Sequence, residues 1–306
     1  MAAVTAPDDA APTGWLAVAE RGSVMGIRLV VWLATALGRA PTRLLLRAVA
    51  AYYVLARPSV RRVSRRYLER IHGRATLGMV YAHVLRFAEV ALDRVFIVCG
   101  KDHYFEVTRT GHDYLEQLGA SRRGAILLGA HLGSFEAMRM QADREGFSIH
   151  FLGQFRNARM INAALTKLNP RSNARLIAKE EGIDFMLRIR EKLRQGDRVA
   201  ILGDRVGRGE RAAEVDFLGA KARFPTGPYL LAALLKCPIY LTFGLYRAPH
   251  RYDLFCEPFE QEIQLPRSGR DEALHAYAQK FATRLEHYVR LAPDNWFNFY
   301  DFWSAS

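Results

Sequence analysis

His131 and Glu136 stand five residues apart in Ala125-Ile-Leu-Leu-Gly-Ala-His131-Leu-Gly-Ser-Phe-Glu136-Ala-Met-Arg139. An imidazole with a carboxylate beside it is equipped to move a proton. The carboxylate on one ring nitrogen fixes the tautomer and leaves the other nitrogen free to accept. Five residues along a helix turn through about 500°, so on a single helix these two side chains would point apart. They can meet only if His131 ends a strand and Glu136 lies in the first turn of the following helix. The local sequence has that form: an apolar run over 125–130, then the histidine, a Gly-Ser turn and a helical pattern.

The elements that must hold this pair follow from the rest of the pattern. Short apolar runs at 125–130, 148–153, 199–202 and 238–243 predict strands. Helical patterns fall near 111–119, 135–145, 158–168, 181–195, 227–236 and 271–291. Such alternation argues for an α/β fold, a mostly parallel central sheet flanked by helices. Function in such sheets gathers at the carboxyl ends of strands. His131, Arg156 and Asp204 each lie just past a predicted strand end. Asp204 could order the loop it begins, hold Arg156, or simply cap. Thr226 and Gly227 open a predicted helix, whose free N–H groups and positive dipole end suit an anion or a developing oxyanion. They would equally serve as a plain helix cap.

The chain has 306 residues, half of them hydrophobic, with 44 Lys plus Arg against 31 Asp plus Glu, a net charge of +13. That balance favours an anionic partner: nucleic acid, anionic lipid or an acidic protein. Residues 1–13 are Ala/Pro/Asp-rich and read as disordered. No basic segment followed by an apolar core marks a cleavable signal peptide. Residues 24–56 are apolar, carry no acidic residue, and are interrupted by Arg28, Arg39, Arg43, Arg47 and Pro41. They lack the roughly 18 to 20 uninterrupted apolar residues of a spanning helix. Two readings stand: an interfacial helix pair with arginines snorkelling to headgroups, or an ordinary core hairpin. Arg57, Arg61, Arg62, Arg65, Arg66, Arg70 and Arg74 follow, against Glu69 alone. Their place after an apolar pair fits an anionic membrane surface. Nucleic acid fits less well, because the aromatics do not interleave with the arginines. The expected organisation is a disordered 1–13, a helical membrane-associating segment over 14–74, and an α/β domain over 75–306.

Cys99, Cys237 and Cys256 are far apart and odd in number, which favours buried structural thiols over a disulfide framework. There is no Gly-x-Ser-x-Gly elbow to make Ser134 a nucleophile, no His-Glu-x-x-His helix for zinc, and no phosphate-binding glycine loop.

An ordered set of motifs resembles the lipid A biosynthesis acyltransferases of the lysophospholipid acyltransferase superfamily. It runs from the apolar-basic amino end through His131 and Glu136, Gln154-Phe-Arg156-Asn157 after a strand, and the strand-end Asp204. It continues through Phe217-Leu-Gly219-Ala-Lys-Ala222 with Thr226-Gly227 to the aromatic ending Pro293-Asp-Asn-Trp296-Phe-Asn-Phe-Tyr-Asp301-Phe-Trp303. Together these cover about residues 14–303. Two positions depart from the family pattern: Arg205 stands where glutamine commonly follows the aspartate, and Asp301 where positive charge is common. The ending is more similar to acyltransferases found with aryl polyene pigment clusters. The resemblance implies a glycerolipid acyltransferase-like fold and transfer of an acyl chain from acyl carrier protein to a hydroxyl of a lipid or glycolipid at the cytoplasmic face of the inner membrane. It implies His131 as general base, Glu136 orienting it, and Arg156 holding the donor or an acceptor phosphate. No metal, cofactor or covalent enzyme intermediate is implied, and no nucleic acid. The alternative is a basic membrane-peripheral scaffold or carrier-protein binder in which His131 and Glu136 are dispensable.

Overall fold

The computed structural model describes residues 24–153, 175–178, 184–207 and 209–303. Four helices come first: α1 (Val24–Leu37), α2 (Arg39–Ala56), α3 (Pro58–His72) and α4 (Leu77–Val98). Then follow β1 (Glu106–Thr110), α5 (His112–Ala120), β2 (Ala125–Gly129), α6 (Phe135–Arg144), β3 (Ile149–Gly153), β4 (Leu176–Ala178) and α7 (Asp184–Arg194). The remainder is β5 (Arg198–Leu202), β6 (Ala212–Phe217), β7 (Ala220–Pro225), α8 (Gly227–Leu235), β8 (Ile239–Arg247), β9 (Arg251–Glu260) and α9 (Arg270–Leu291).

The apolar run of β2 is buried at every residue, as a central parallel strand requires. It lies between β8 and β5 in a seven-stranded sheet of order β1-β9-β8-β2-β5-β3-β4. All neighbours pair in parallel except β8 with β9, which form an antiparallel hairpin. The α/β expectation therefore holds, with one antiparallel turn-back. The four predicted strands are all present. So are the predicted helices, apart from the one near 158–168, which lies outside the described residues. β1, β4 and β9 escaped the sequence pattern. β4 has three residues. β1 is mostly exposed, and β9 alternates exposed with buried residues, so neither carries a continuous apolar run. A separate hairpin, β6–β7, turns tightly at Leu218 and Gly219. Both adopt φ near +51° and +75°, the left-handed pair that suits strand twist in two-residue hairpins.

The amino-terminal helices share a core with the sheet. Ala50, Val54, Val60, Tyr67 and Leu68 belong to the same buried cluster as Ile126, Phe217 and Trp296. α1 and α2 are amphipathic in the structure: Ala34, Leu46, Ala50 and Val54 are buried, whereas Leu29, Trp32, Leu44 and Leu55 are more than half exposed. Arg39 and Arg43 do not snorkel outward. Arg39 donates from Nε and Nη2 to buried Asp93 at 2.8 and 2.9 Å. Arg43 donates from Nε to Glu89 at 3.0 Å. Both carboxylates lie on α4. The two acids, nearly 50 residues downstream, draw the guanidinium groups inward, because a carboxylate in the core needs a paired cation. Among the described residues no single helix is long and apolar enough to cross a membrane.

Candidate active site

The sheet order decides which groups meet. β2 and β5 are parallel neighbours, with Gly129 opposite Leu202, and Gly203 N–H donates to the Gly129 carbonyl at 2.9 Å. The residues leaving these two strands emerge side by side at the carboxyl edge: His131 from β2 and Asp204 from β5. The chain leaves His131 through Gly133, at φ +69°, whose Cβ would stand 1.9 Å from the Gly244 carbonyl oxygen. Only glycine allows that approach. It lets Ser134 N–H bond the Gly244 carbonyl at 2.8 Å and Ser134 Oγ cap α6 by accepting from Ala137 N–H at 3.1 Å. Ser134 is thus a helix cap.

Asp204 carries the carboxylate that His131 needs. Its Oδ1 accepts from His131 Nδ1 at 2.8 Å. Its Oδ2 accepts at 3.1 Å from His131 N–H, Trp296 Nε1 and Asn298 Nδ2. The carboxylate is fully buried, whereas the imidazole side chain is 30% exposed. Burial alone would raise the Asp204 pKa. His131, the Arg205 charge and the Asn298 bond outweigh it and hold the carboxyl well below the usual range. An ionised carboxylate only accepts, so the proton sits on Nδ1 of His131. Nε2 is left as a lone pair with no hydrogen-bond partner among the described residues. Burial and the Arg205 charge lower the His131 pKa against the pull of Asp204, so the ring is neutral and basic at physiological pH.

The carboxyl-terminal segment completes this cluster. Leu132 and Trp296 form an antiparallel bridge, Gly133 N–H donates to the Asn295 carbonyl and Phe297 N–H to the His131 carbonyl, both at 2.8 Å. Arg205 donates from Nε to Asn298 Oδ1 at 2.8 Å and from Nη2 to the Phe297 carbonyl at 2.9 Å. From the sequence alone, Trp296 reads as one of a run of aromatics that could wall an acyl pocket or simply pack the chain end, Asn298 as having no part in the site, and Arg205 as a departure without a role. A lone amide amid six aromatic residues over 296–303 was the available signal for Asn298.

Glu136 is where the spacing placed it, in the first turn of α6, but it does not orient His131. Arg94 Nε donates to its Oε1 at 2.7 Å and Arg139 Nε to its Oε2 at 2.9 Å. α4 packs on α6 and brings Arg94 across, while Arg139 lies one turn along from Glu136. Two guanidinium groups therefore occupy the carboxylate, and the neighbouring strand supplies another carboxylate to the histidine. Arg156 lies outside the described residues.

Thr226 and Gly227 stand at the start of α8, as expected. Thr226 gives both its N–H and its hydroxyl to the Arg211 carbonyl, at 3.0 and 3.2 Å. It thereby closes the open end of the β6–β7 hairpin. Tyr229, half a turn further, stacks on Phe259 and Tyr277 at 6.1 and 5.9 Å. Phe259 sits where β9 flanks the amino end of β8, the edge of the sheet opposite His131. Among the described residues no hydrogen bond joins this helix start to the His131–Asp204 pair.

The arrangement can accept a proton at Nε2, hold the resulting imidazolium against a buried anion, and return the proton. Burial disfavours the thiolate at all three cysteines, pushing Cys237 and Cys256 up to about 11 and about 12 and raising Cys99 as well. Among the described residues no three His, Cys, Asp or Glu side chains are grouped to hold a metal ion. Among curated proteins none matches the chain. The family model for bacterial lipid A biosynthesis acyltransferase matches residues 29–304. With nearly the whole sequence matched, the chain belongs to the bacterial lipid A biosynthesis acyltransferase family.

Proposed function

We propose that the protein is a membrane-associated O-acyltransferase. It moves an acyl chain from an acyl carrier protein thioester to a hydroxyl of a lipid or glycolipid acceptor, of lipid A type or a related outer-membrane or aryl polyene lipid. The observation that carries this reading is the His131–Asp204 pair, its tautomer fixed and its Nε2 open at the carboxyl edge of the central strands. The acceptor hydroxyl gives its proton to His131 Nε2 as its oxygen attacks the thioester carbonyl carbon. The tetrahedral oxyanion collapses with cleavage of the C–S bond, and the imidazolium protonates the departing thiolate. Asp204 orients the ring and stabilises its charged form. The Arg205 charge beside His131 suits the developing oxyanion. Glu136 positions Arg94 and Arg139 rather than the base. These two guanidinium groups would suit phosphate on the donor arm or the acceptor, the role the resemblance implies for Arg156.

The basic surface suits an acidic carrier protein and anionic lipids alike. The exposed apolar side of α1 and α2, followed by the arginines of α3, fits a helix pair lying on the cytoplasmic face of the inner membrane. The test is acyl transfer by the purified protein from acyl carrier protein thioesters to membrane lipid extract, wild type beside His131→Ala. A lipid product formed by wild type alone is expected. Equal product from H131A rejects the mechanism. Carrier-protein binding without product from any donor would favour the scaffold reading.

A further inference from the structure

We propose that His83 is a positioning residue for the proton-transfer pair, acting through Trp296 on Asp204; this rests on the acyl-transfer reading above. His83 lies on α4 and is fully buried. Its Nε2 is 3.0 Å from the Trp296 carbonyl oxygen, and its Nδ1 is 2.8 Å from Ser64 Oγ on α3. A carbonyl only accepts, so Nε2 carries the ring proton and Nδ1 takes the hydrogen bond of the Ser64 hydroxyl. Burial lowers the His83 pKa to about 4, against the pull of the Trp296 carbonyl, so the ring keeps this single neutral form.

Trp296 is the next link. The residue whose carbonyl His83 holds also donates its indole N–H to Asp204 Oδ2 at 3.1 Å. A connected series therefore links the helices to the site: Ser64 Oγ–H donates to His83 Nδ1, His83 Nε2–H to the Trp296 carbonyl, and the Trp296 indole N–H to Asp204, the carboxylate that also accepts from His131 Nδ1–H. Neighbouring contacts brace the same segment. The Tyr67 hydroxyl donates to the Pro293 carbonyl at 2.6 Å, its ring lies 5.1 Å from that of Trp296, and Arg86 pairs with Asp294 at 2.9 Å.

An apolar side chain would fill the His83 site without the cost of burying a polar ring. The imidazole is the group that can accept from α3 and donate to the segment reaching Asp204. The α3–α4 pair thus does more than present a basic surface. It sets the height and angle at which Trp296 meets Asp204, and with it the tautomer of His131. Catalytic geometry is sensitive to ångström displacements of this kind.

The test uses the full chain with 15N-labelled histidine. The His131 ring is identified by its absence in H131A and is read in wild type, H83F, H83Q and S64A, alongside steady-state acyl transfer and thermal unfolding. Wild type should show His131 protonated at Nδ1. H83F should show mixed tautomers and a kcat lowered about tenfold or more with KM within about twofold. H83Q, whose amide N–H reaches toward the Trp296 carbonyl, should restore both readouts. S64A keeps the ring and should give a smaller change in the same direction; it carries the test if H83F does not fold. A lower kcat with an unaltered His131 signature would make His83 merely structural and overturn the inference, as would a loss confined to KM or a failure of H83Q to restore. Undiminished transfer by H131A would instead refute His131 as the general base, and no transfer by wild type from any donor would refute the acyl-transfer reading itself.

Discussion

Replacing Asp204 by asparagine changes one atom and should nearly abolish transfer. Oδ2 collects three donors, from His131 N–H, Trp296 Nε1 and Asn298 Nδ2, each at 3.1 Å. Oδ1 meets only His131 Nδ1, at 2.8 Å. An asparagine must put its carbonyl oxygen where three donors converge, so its NH2 group faces Nδ1. That nitrogen can then only accept, and the ring proton moves to Nε2, the position that must be empty for general-base work. The negative charge that stabilises the imidazolium is lost as well. In Ser–His–Asp enzymes the same change costs about 10⁴ in kcat. The same logic here gives a loss of about 10³ to 10⁴, or about 4 to 5.5 kcal/mol at about 1.4 kcal/mol per tenfold. Three of the four hydrogen bonds survive, so the fold should persist. Asp204→Ala, in contrast, would strand four donors and destabilise the protein. The assay is the initial rate of lipid acylation, with product measured by mass and the unfolding temperature as a control. A D204N enzyme within tenfold of wild type would refute the argument. If E136Q, rather than D204N, altered the His131 tautomer, Glu136 would regain the orienting role.

Four further outcomes follow from the same geometry. Arg205→Gln removes a positive charge that lowers the His131 pKa; the ring should then protonate at higher pH, moving the acid limb of the pH–rate profile upward, and an unmoved or lowered limb would contradict this. His83 falls from an ordinary value of 6.5 to about 4 on folding, so below pH 6.5 the unfolded chain binds the extra proton. Its contribution is complete above 6.5, and about 3 kcal/mol of stability should disappear as pH falls to 4, a slope that denaturant titrations of H83Q should lack. Arg39→Met strands Asp93 in the core and should cost about 3 to 5 kcal/mol in urea unfolding; a change under 1 kcal/mol would show the pair to be dispensable. Trp32→Asp with Leu44→Asp should weaken co-sedimentation with anionic vesicles at least about tenfold, since each apolar side chain contributes about 1.5 to 3 kcal/mol when buried. Unchanged binding would move the membrane contact elsewhere.

Local pattern carried much of the architecture. The apolar run 125–130, the Gly-Ser turn and the following helix needed only neighbouring residues to specify them, so His131 at a strand end and Glu136 in a first turn were legible. The same holds for β3, β5, β8 and the long α9. Strands covered on one side or very short, such as β1, β4 and β9, leave no continuous apolar run and so no comparable signal. The amphipathic character of 24–56 was legible too, but not the inward turn of Arg39 and Arg43, because their acids lie on another helix.

The identity of the carboxylate that serves His131 was a tertiary decision. Asp204 is 73 residues away and reaches the histidine because β5 pairs with β2 in parallel register. Trp296 and Asn298 arrive after more than 90 further residues. Thr226 and Gly227 form the helix start that the sequence implies, and Thr226 spends its N–H and hydroxyl on the Arg211 carbonyl, a partner that the β6–β7 hairpin supplies. A sequence fixes periodicity, turns and caps through contacts among near neighbours. Which donor meets which acceptor across strands depends on sheet order and register, and those are set by burying all the elements together.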